Sequence, residues 1–213
     1  MRGLLGIGSN KLNRYTVAKI SQGLSNYLIK CYENGSVAVS YDSRRQSLEF
    51  ARIASSVLAS NGIQVYLFPE LMPTPCLSFA TRYYHCSAGI MITASHNPAE
   101  YNGYKVYNSD GCQITNEIAS LIQTEADSID IFADVQQGFF DESIRDGKIK
   151  YISSDCFKAY IDEVKKQSVL YGDKVDKDIS VVYSPLNGTG LKAVKQVLLE
   201  SGYRKVTIVK EQE

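Results

Sequence analysis

A hydroxyl, an imidazole, a carboxamide and an ammonium crowd one short stretch of this chain. The stretch is Thr93-Ala94-Ser95-His96-Asn97-Pro98, followed by Tyr101-Asn102-Gly103-Tyr104-Lys105. A serine hydroxyl is a poor nucleophile unless a base or a charged partner activates it. Acyl transfer by Ser95 and His96 is one possible chemistry. It is disfavoured, because neighbours in an extended segment point to opposite sides and the G-x-S-x-G elbow is absent. Phosphoryl transfer through a phosphoserine is another. It needs positive groups and donors around the serine, which Lys105, His96 and Asn97 could supply, and usually Mg²⁺. A polar connection with a capping serine is the third reading, and composition alone gives it even odds with a ligand site.

Something must hold these residues in place. Ala88-Gly89-Ile90-Met91-Ile92-Thr93 reads as a buried strand that delivers Ser95 at its C-terminal end. In open α/β sheets that edge is where ligands bind. Pro98 and Gly103 shape a loop that returns toward the sheet, with Tyr104–Tyr107 as a fourth strand at its edge, bringing Lys105 back toward Ser95. Two earlier strands, 37–41 and 65–68, are also apolar throughout, and helical patterns over 16–32, 47–60 and 77–84 separate them. Met72-Pro73-Thr74-Pro75 reads as a rigid loop. That succession predicts a mixed, mostly parallel sheet covered on both faces, a three-layer α/β/α domain. A helix over 116–126 follows, and the pattern weakens from about 127 to 155. A boundary near Ser153-Ser154 divides a domain over 1–152 from a partial second one over 153–213. The latter reads as helix 155–167, strand 179–183, helix 189–201 and strand 206–209, a poor core by itself.

Other features are less specific. Strand, Gly188-Thr189-Gly190, then helix could cradle a phosphate on backbone N–H groups. The dinucleotide fingerprint, however, wants a third glycine and a later acid, so a structural tight turn is favoured. Five cysteines at irregular spacing make no disulfide framework or zinc motif. Two histidines exclude a polyhistidine metal site. The 213 residues carry 23 basic and 23 acidic side chains, so net charge offers no reason to bind nucleic acid or an anionic membrane. No apolar run reaches the roughly 18–20 residues of a membrane span. Without a signal peptide, a cytoplasmic location is expected.

Taken together, these pieces resemble the α-D-phosphohexomutases, the phosphoglucomutase/phosphomannomutase superfamily. Residues 93–98 with 101–105 are similar to its active-site serine loop. Met1-Arg2-Gly3 with Gly6-Ile7-Gly8-Ser9-Asn10 resembles the end of its N-terminal "GLRG" segment. Tyr41-Asp42-Ser43-Arg44 resembles its "D-x-R" turn, and Pro73-Thr74-Pro75 its "PTP" loop. Tyr183-Ser184-Pro185-Leu186-Asn187-Gly188-Thr189-Gly190 resembles the first strand-to-helix turn of its second domain. The resemblance implies that Ser95 is phosphorylated and donates its phosphoryl group, with Mg²⁺ held on that phosphate. It implies Lys105 as general acid/base and His96 as a hydrogen-bond or proton partner. Arg2 and Arg44 would offset phosphate charge, and Asn97 would hold the loop beside the substrate phosphate. The implied reaction converts glucose 1-phosphate to glucose 6-phosphate through glucose 1,6-bisphosphate, with a sugar phosphate as the partner. Phosphomannomutase and phosphopentomutase are alternatives within the resemblance, and a non-catalytic α/β binding or assembly module is the alternative outside it. The family's Asp-x-Asp-x-Asp-Arg metal run is absent, since Asp173, Asp176 and Asp178 lack its spacing. The expectation is therefore a fragment that lacks the full mutase cycle and associates through an exposed, incomplete second domain.

Overall fold

The computed structural model describes residues 1–169 and 174–212 and divides into two compact units, Met1–Ile152 and Ser153–Glu213. The first unit is built on a six-stranded mixed sheet. Its strands are β1 (Arg2–Leu4), β2 (Ser36–Tyr41), β3 (Gln64–Leu67), β4 (Ala88–Ile92), β5 (Tyr101–Asn108) and β6 (Ile149–Tyr151), in spatial order β1-β5-β4-β2-β3-β6. β4, β2, β3 and β6 run parallel, while β5 is antiparallel to both β4 and β1. The helices are α1 (Arg14–Cys31), α2 (Ser47–Ser60), α3 (Thr74–Tyr83), α4 (Asn116–Asp127) and α5 (Phe140–Arg145).

Two apolar faces follow from the pleat. Val37, Val39, Ile90, Ile92, Val65, Leu67 and Tyr104 pack with Leu24 and Leu28 of α1 and with Phe50, Val57 and Leu58 of α2 in one core. On the opposite face α3 lies over β2 and β4, and it comes close enough that a side chain on Gly89 would strike Thr81 Oγ1 at 2.5 Å. This is the three-layer α/β/α arrangement that the apolar strands predicted.

Four expectations need correcting. β5 is not the edge of the sheet, because Arg2–Leu4 adds a strand outside it. Three residues next to Gly6 and Gly8 carry no strand periodicity of their own; pairing with β5 supplies the order. Likewise β6 lies in the segment where the pattern weakens and is recruited by β3. The prolines at 73 and 75 are not confined to a loop. Pro73 caps α3 and Pro75 sits in its first turn, where a missing N–H costs nothing. α1 begins earlier than its apolar spacing suggests because Asn13 caps it: its side chain accepts from the Tyr15 and Thr16 N–H groups, and Thr16 Oγ1 accepts from the Asn13 N–H.

The second unit contains α6 (Ser154–Lys166), β7 (Ser180–Tyr183), α7 (Leu191–Glu200) and β8 (Lys205–Ile208), with β7 and β8 a parallel pair. Every second strand residue is exposed, Val182 at 71%. The Gly188 turn is tight, with its N–H on Pro185 O at 2.9 Å. Gly190 stands where a side chain would meet the Tyr183 hydroxyl at 2.5 Å, which is a packing role. Asp178 pairs with Lys205 at 2.7 Å and its N–H donates to Asp176; Asp173 lies outside the described residues.

Burial also sets an alkaline limit on stability. Cys86 is 1% exposed, and burial pushes its thiol up to about 11, partly offset by a hydrogen bond with Ser36. Burial raises the Tyr104 hydroxyl in the same direction against a smaller opposing bond from Ser21. Both groups favour the protonated form when folded. Their contribution is complete below the unfolded thiol's ordinary value of 9.0 and is lost as pH rises through the folded value. The thermal midpoint is expected to be flat in mildly alkaline buffer and to fall from about pH 9 to about pH 11. Calorimetric scans across that range, with Cys86→Ala delaying the onset of the fall, check this.

Candidate functional site

The chain reverses the direction of its crossovers at β2. From β2 it passes through α2 to β3 on one side, and from β3 through α3 to β4 on the other. A crevice at the carboxyl ends of such strands is where open α/β sheets bind ligands. Two loops meet at this point, Asp42–Gln46 after β2 and Thr93–Glu100 after β4.

Ser95 stands at the exposed tip of the second loop with φ of 59°, a left-handed conformation that serine rarely adopts. Thr93 Oγ1 accepts its N–H at 2.9 Å. The left-handed turn overturns the expectation that Ser95 and His96 diverge. Their side chains would part in an extended segment, but here Ser95 Oγ lies 3.3 Å from His96 Nδ1. Both side chains are exposed, so the hydroxyl is open to an incoming group and has an imidazole nitrogen beside it.

Arg44 crosses the crevice. Its Nη1 donates to Pro98 O at 2.9 Å and Tyr101 O at 3.0 Å; its Nη2 donates to Ser95 O at 2.8 Å and to Asn97 O. Nε faces Asp42 Oδ2 at 3.5 Å. Asp42 Oδ1 in turn accepts from the Arg44 N–H at 3.0 Å and from Ser47 Oγ at 2.7 Å. The sequence reading has Arg44 offsetting substrate phosphate. In the structure its four Nη–H groups are directed at carbonyls of the serine loop.

The remaining cations come from the sheet edge. Arg2 is opposite Gly103 in the β1–β5 register, and Lys105 lies two residues along β5 from Gly103. Directly opposed and alternate residues share a face, so Arg2 and Lys105 project from the same side of the sheet with bare Gly103 between them. Arg2 Nη1 reaches Asn97 Oδ1 at 3.0 Å, tying the edge strand to the loop. Lys105 is opposite Met91, further from the loop than Gly103, which lies beside Thr93. Among the described residues no hydrogen bond joins Lys105 to Ser95 or His96. The Met1 ammonium donates to Tyr104 O at 2.8 Å. Burial, then repulsion from Arg2 and from Lys105, hold it below its ordinary value.

Three residues that hold the site together, Asp42, Ser47 and Asn102, have no role assigned from the sequence. Asn102, fully buried, donates through Nδ2 to Arg45 O at 3.0 Å and Ser47 Oγ at 2.9 Å, and its Oδ1 accepts from the Gly103 N–H at 2.8 Å. It joins the return strand to the start of α2. Asp42 and Ser47 have a local signature, an acidic turn residue just before a helix; Asn102 has none. Among the described residues there is no group of three or more His, Cys, Asp or Glu side chains that could hold a metal ion, and no helix is long and apolar enough to cross a membrane.

Residues 1–131 match the family "Phosphoglucomutase/phosphomannomutase, alpha/beta/alpha domain I". A phosphoglucomutase of Staphylococcus haemolyticus is 39% identical over 216 residues, and one of Staphylococcus saprophyticus is 39% identical over 212. Each alignment covers 100% of this chain and 38% of the relative, so the chain spans well under half the length of those proteins. Among solved structures, a putative phosphomannomutase from Thermus thermophilus superposes with a TM-score of 0.82 at 27% identity, over 100% of this chain and 44% of that one.

Proposed function

The chain belongs to the phosphoglucomutase/phosphomannomutase family, and from that premise we propose that Ser95 is its phosphoryl carrier in a phosphoglucomutase-type reaction. The observation that carries this reading is the exposed Ser95 hydroxyl at the crossover-reversal point, 3.3 Å from His96 Nδ1 and beside a corner where Arg2 and Lys105 share one face. The substrate is a hexose phosphate, glucose 1-phosphate going to glucose 6-phosphate by way of glucose 1,6-bisphosphate.

In the loading step Ser95 Oγ attacks a phosphorus of the bisphosphate. An Oγ–P bond forms and the sugar O–P bond breaks. The serine proton passes to His96 or to water, and the departing sugar oxygen takes a proton from Lys105. In the return step a sugar hydroxyl attacks the phosphoserine and Lys105 accepts its proton; the Oγ–P bond breaks, and Ser95 Oγ takes its proton back from His96 or water. Arg2, held by Asn97 at 3.0 Å, supplies positive charge where the equatorial oxygens develop negative charge. Neutralisation of the transferring group by Mg²⁺ is the chemistry the family implies. This chain's described residues would offer such an ion only the phosphate on Ser95, since they contain no cluster of metal-ligating side chains.

The test is intact mass and peptide mapping of the purified chain before and after incubation with glucose 1,6-bisphosphate and Mg²⁺. One added phosphoryl group on the peptide containing Ser95 is the expected result. An unmodified chain under both conditions, with the protein folded, would favour a non-catalytic module.

A further inference from the structure

We infer that Arg44 is a positioning residue: it clamps the serine loop so that peptide N–H groups, not carbonyl oxygens, face the phosphoryl group, and it does not bind substrate phosphate. The phosphoryl part of this statement rests on the reading of Ser95 above; the clamp itself does not.

A guanidinium has five N–H donors and no acceptor. Here four are directed at the carbonyls of Ser95, Asn97, Pro98 and Tyr101, and Nε faces Asp42. To bind a phosphate in the bidentate manner Arg44 would have to release at least two of these carbonyls. It would then give up hydrogen bonds that tie the loop to a side chain only 14% exposed. Direct binding therefore competes with loop structure.

The clamp has a second consequence. In a trans peptide the carbonyl and the following N–H point in opposite directions. Drawing the Ser95 and Pro98 carbonyls toward Arg44 turns the His96 and Ala99 N–H groups away from it. Ser95, His96 and Ala99 are all exposed, and neither of those N–H groups donates to another described residue. The loop thus presents donors outward and hides its acceptors, the polarity a dianionic phosphoryl group requires. Without the guanidinium the same carbonyls could rotate outward and repel it. Asp42 holds the guanidinium in plane, and Ser47 and Asn102 fix Asp42 and the return strand to α2.

A lysine at this position keeps the charge but loses the planar fork. Arg44→Lys separates the roles. Hydrogen exchange of peptides over 94–101 is expected to accelerate at least about tenfold, the factor that loss of about 1.4 kcal/mol of local stability gives. Exchange within β4 should be unchanged. Phosphoryl uptake from glucose 1,6-bisphosphate should lose rate at saturation, while the half-saturating concentration moves less than about threefold. Unchanged exchange in a folded Arg44→Lys chain, or a loss confined to half-saturation, would overturn the inference. If Arg44→Lys does not fold, Asp42→Asn, which removes the carboxylate that holds the guanidinium in plane and so weakens its four carbonyl bonds, should give a smaller acceleration in the same peptides, and no acceleration there overturns it equally. Should wild-type Ser95 accept no phosphoryl group, the carrier reading falls while the exchange result still decides the clamp.

Discussion

Ser95→Gly is expected to abolish phosphoryl uptake while leaving the protein more stable than Ser95→Ala. Both variants remove the Ser95 hydroxyl at the tip of the loop, so no phosphoserine peptide should be found in either. They differ in the backbone. Ser95 sits at φ 59°, a conformation that costs a residue with a Cβ about 1–2 kcal/mol and costs glycine little. Alanine retains that strain and glycine relieves it, against a modest entropy gain of the unfolded chain. Ser95→Gly should therefore unfold about 1 kcal/mol later than Ser95→Ala in urea. The hydroxyl's described partner is His96 at 3.3 Å, so its removal leaves no buried group unsatisfied. Strain held at a functional loop and relieved by a disabling mutation is the expected trade. Equal stability of the two variants would show that the left-handed turn is not strained. Phosphoryl uptake in either would remove Ser95 from the carrier role.

The second large effect is on the fold. At Gly103 a Cβ would lie 2.5 Å from Thr93 O and 3.1 Å from Met1 O. Both are main-chain atoms, on opposite sides of β5, so neither can swing away as a side chain would. Gly103 O also accepts the Thr93 N–H at 3.0 Å, the bond that launches the serine loop. Gly103→Ala must push β5 away from β4 or from β1, at a cost of about 2–3 kcal/mol, which for a unit of this size lowers the thermal midpoint by roughly 5–10 °C. Gly3→Ala, whose Cβ would meet only Leu12 N at 3.9 Å, is the control and should leave the midpoint within about 2 °C. Because Arg2 is opposite Gly103, the same displacement should loosen the Arg2–Asn97 contact and slow loading of Ser95. An unaltered midpoint in Gly103→Ala would mean that the strands have room the structure does not show.

These effects differ in how far they could be foreseen. The parallel core was legible because buried strands advertise themselves: Val37–Tyr41 and Ala88–Ile92 are mostly apolar and buried on both faces, and helix periodicity between them forces crossovers. The serine loop was legible because Pro98, Gly103 and the cluster of Ser95, His96, Asn97 and Lys105 are unusual in so short a span. β1 and β6 were not, since strands of three residues draw their order from a partner rather than from their own pattern.

The sequence by itself determined which atoms are available: one hydroxyl, one imidazole and the cations of Arg2, Arg44 and Lys105, delivered at the carboxyl edge of a parallel sheet. Only the tertiary structure decided what each can do. It turned Ser95 left-handed, so that His96 meets it rather than parting from it. It placed Arg2 and Lys105 on one face by pairing β1 with β5. It surrounded Arg44 with four carbonyls and a carboxylate. The reason is that residue type sets charge and donor count, which are local properties. Whether a donor is free or already satisfied depends on groups more than fifty positions away in the chain, and only folding brings those together.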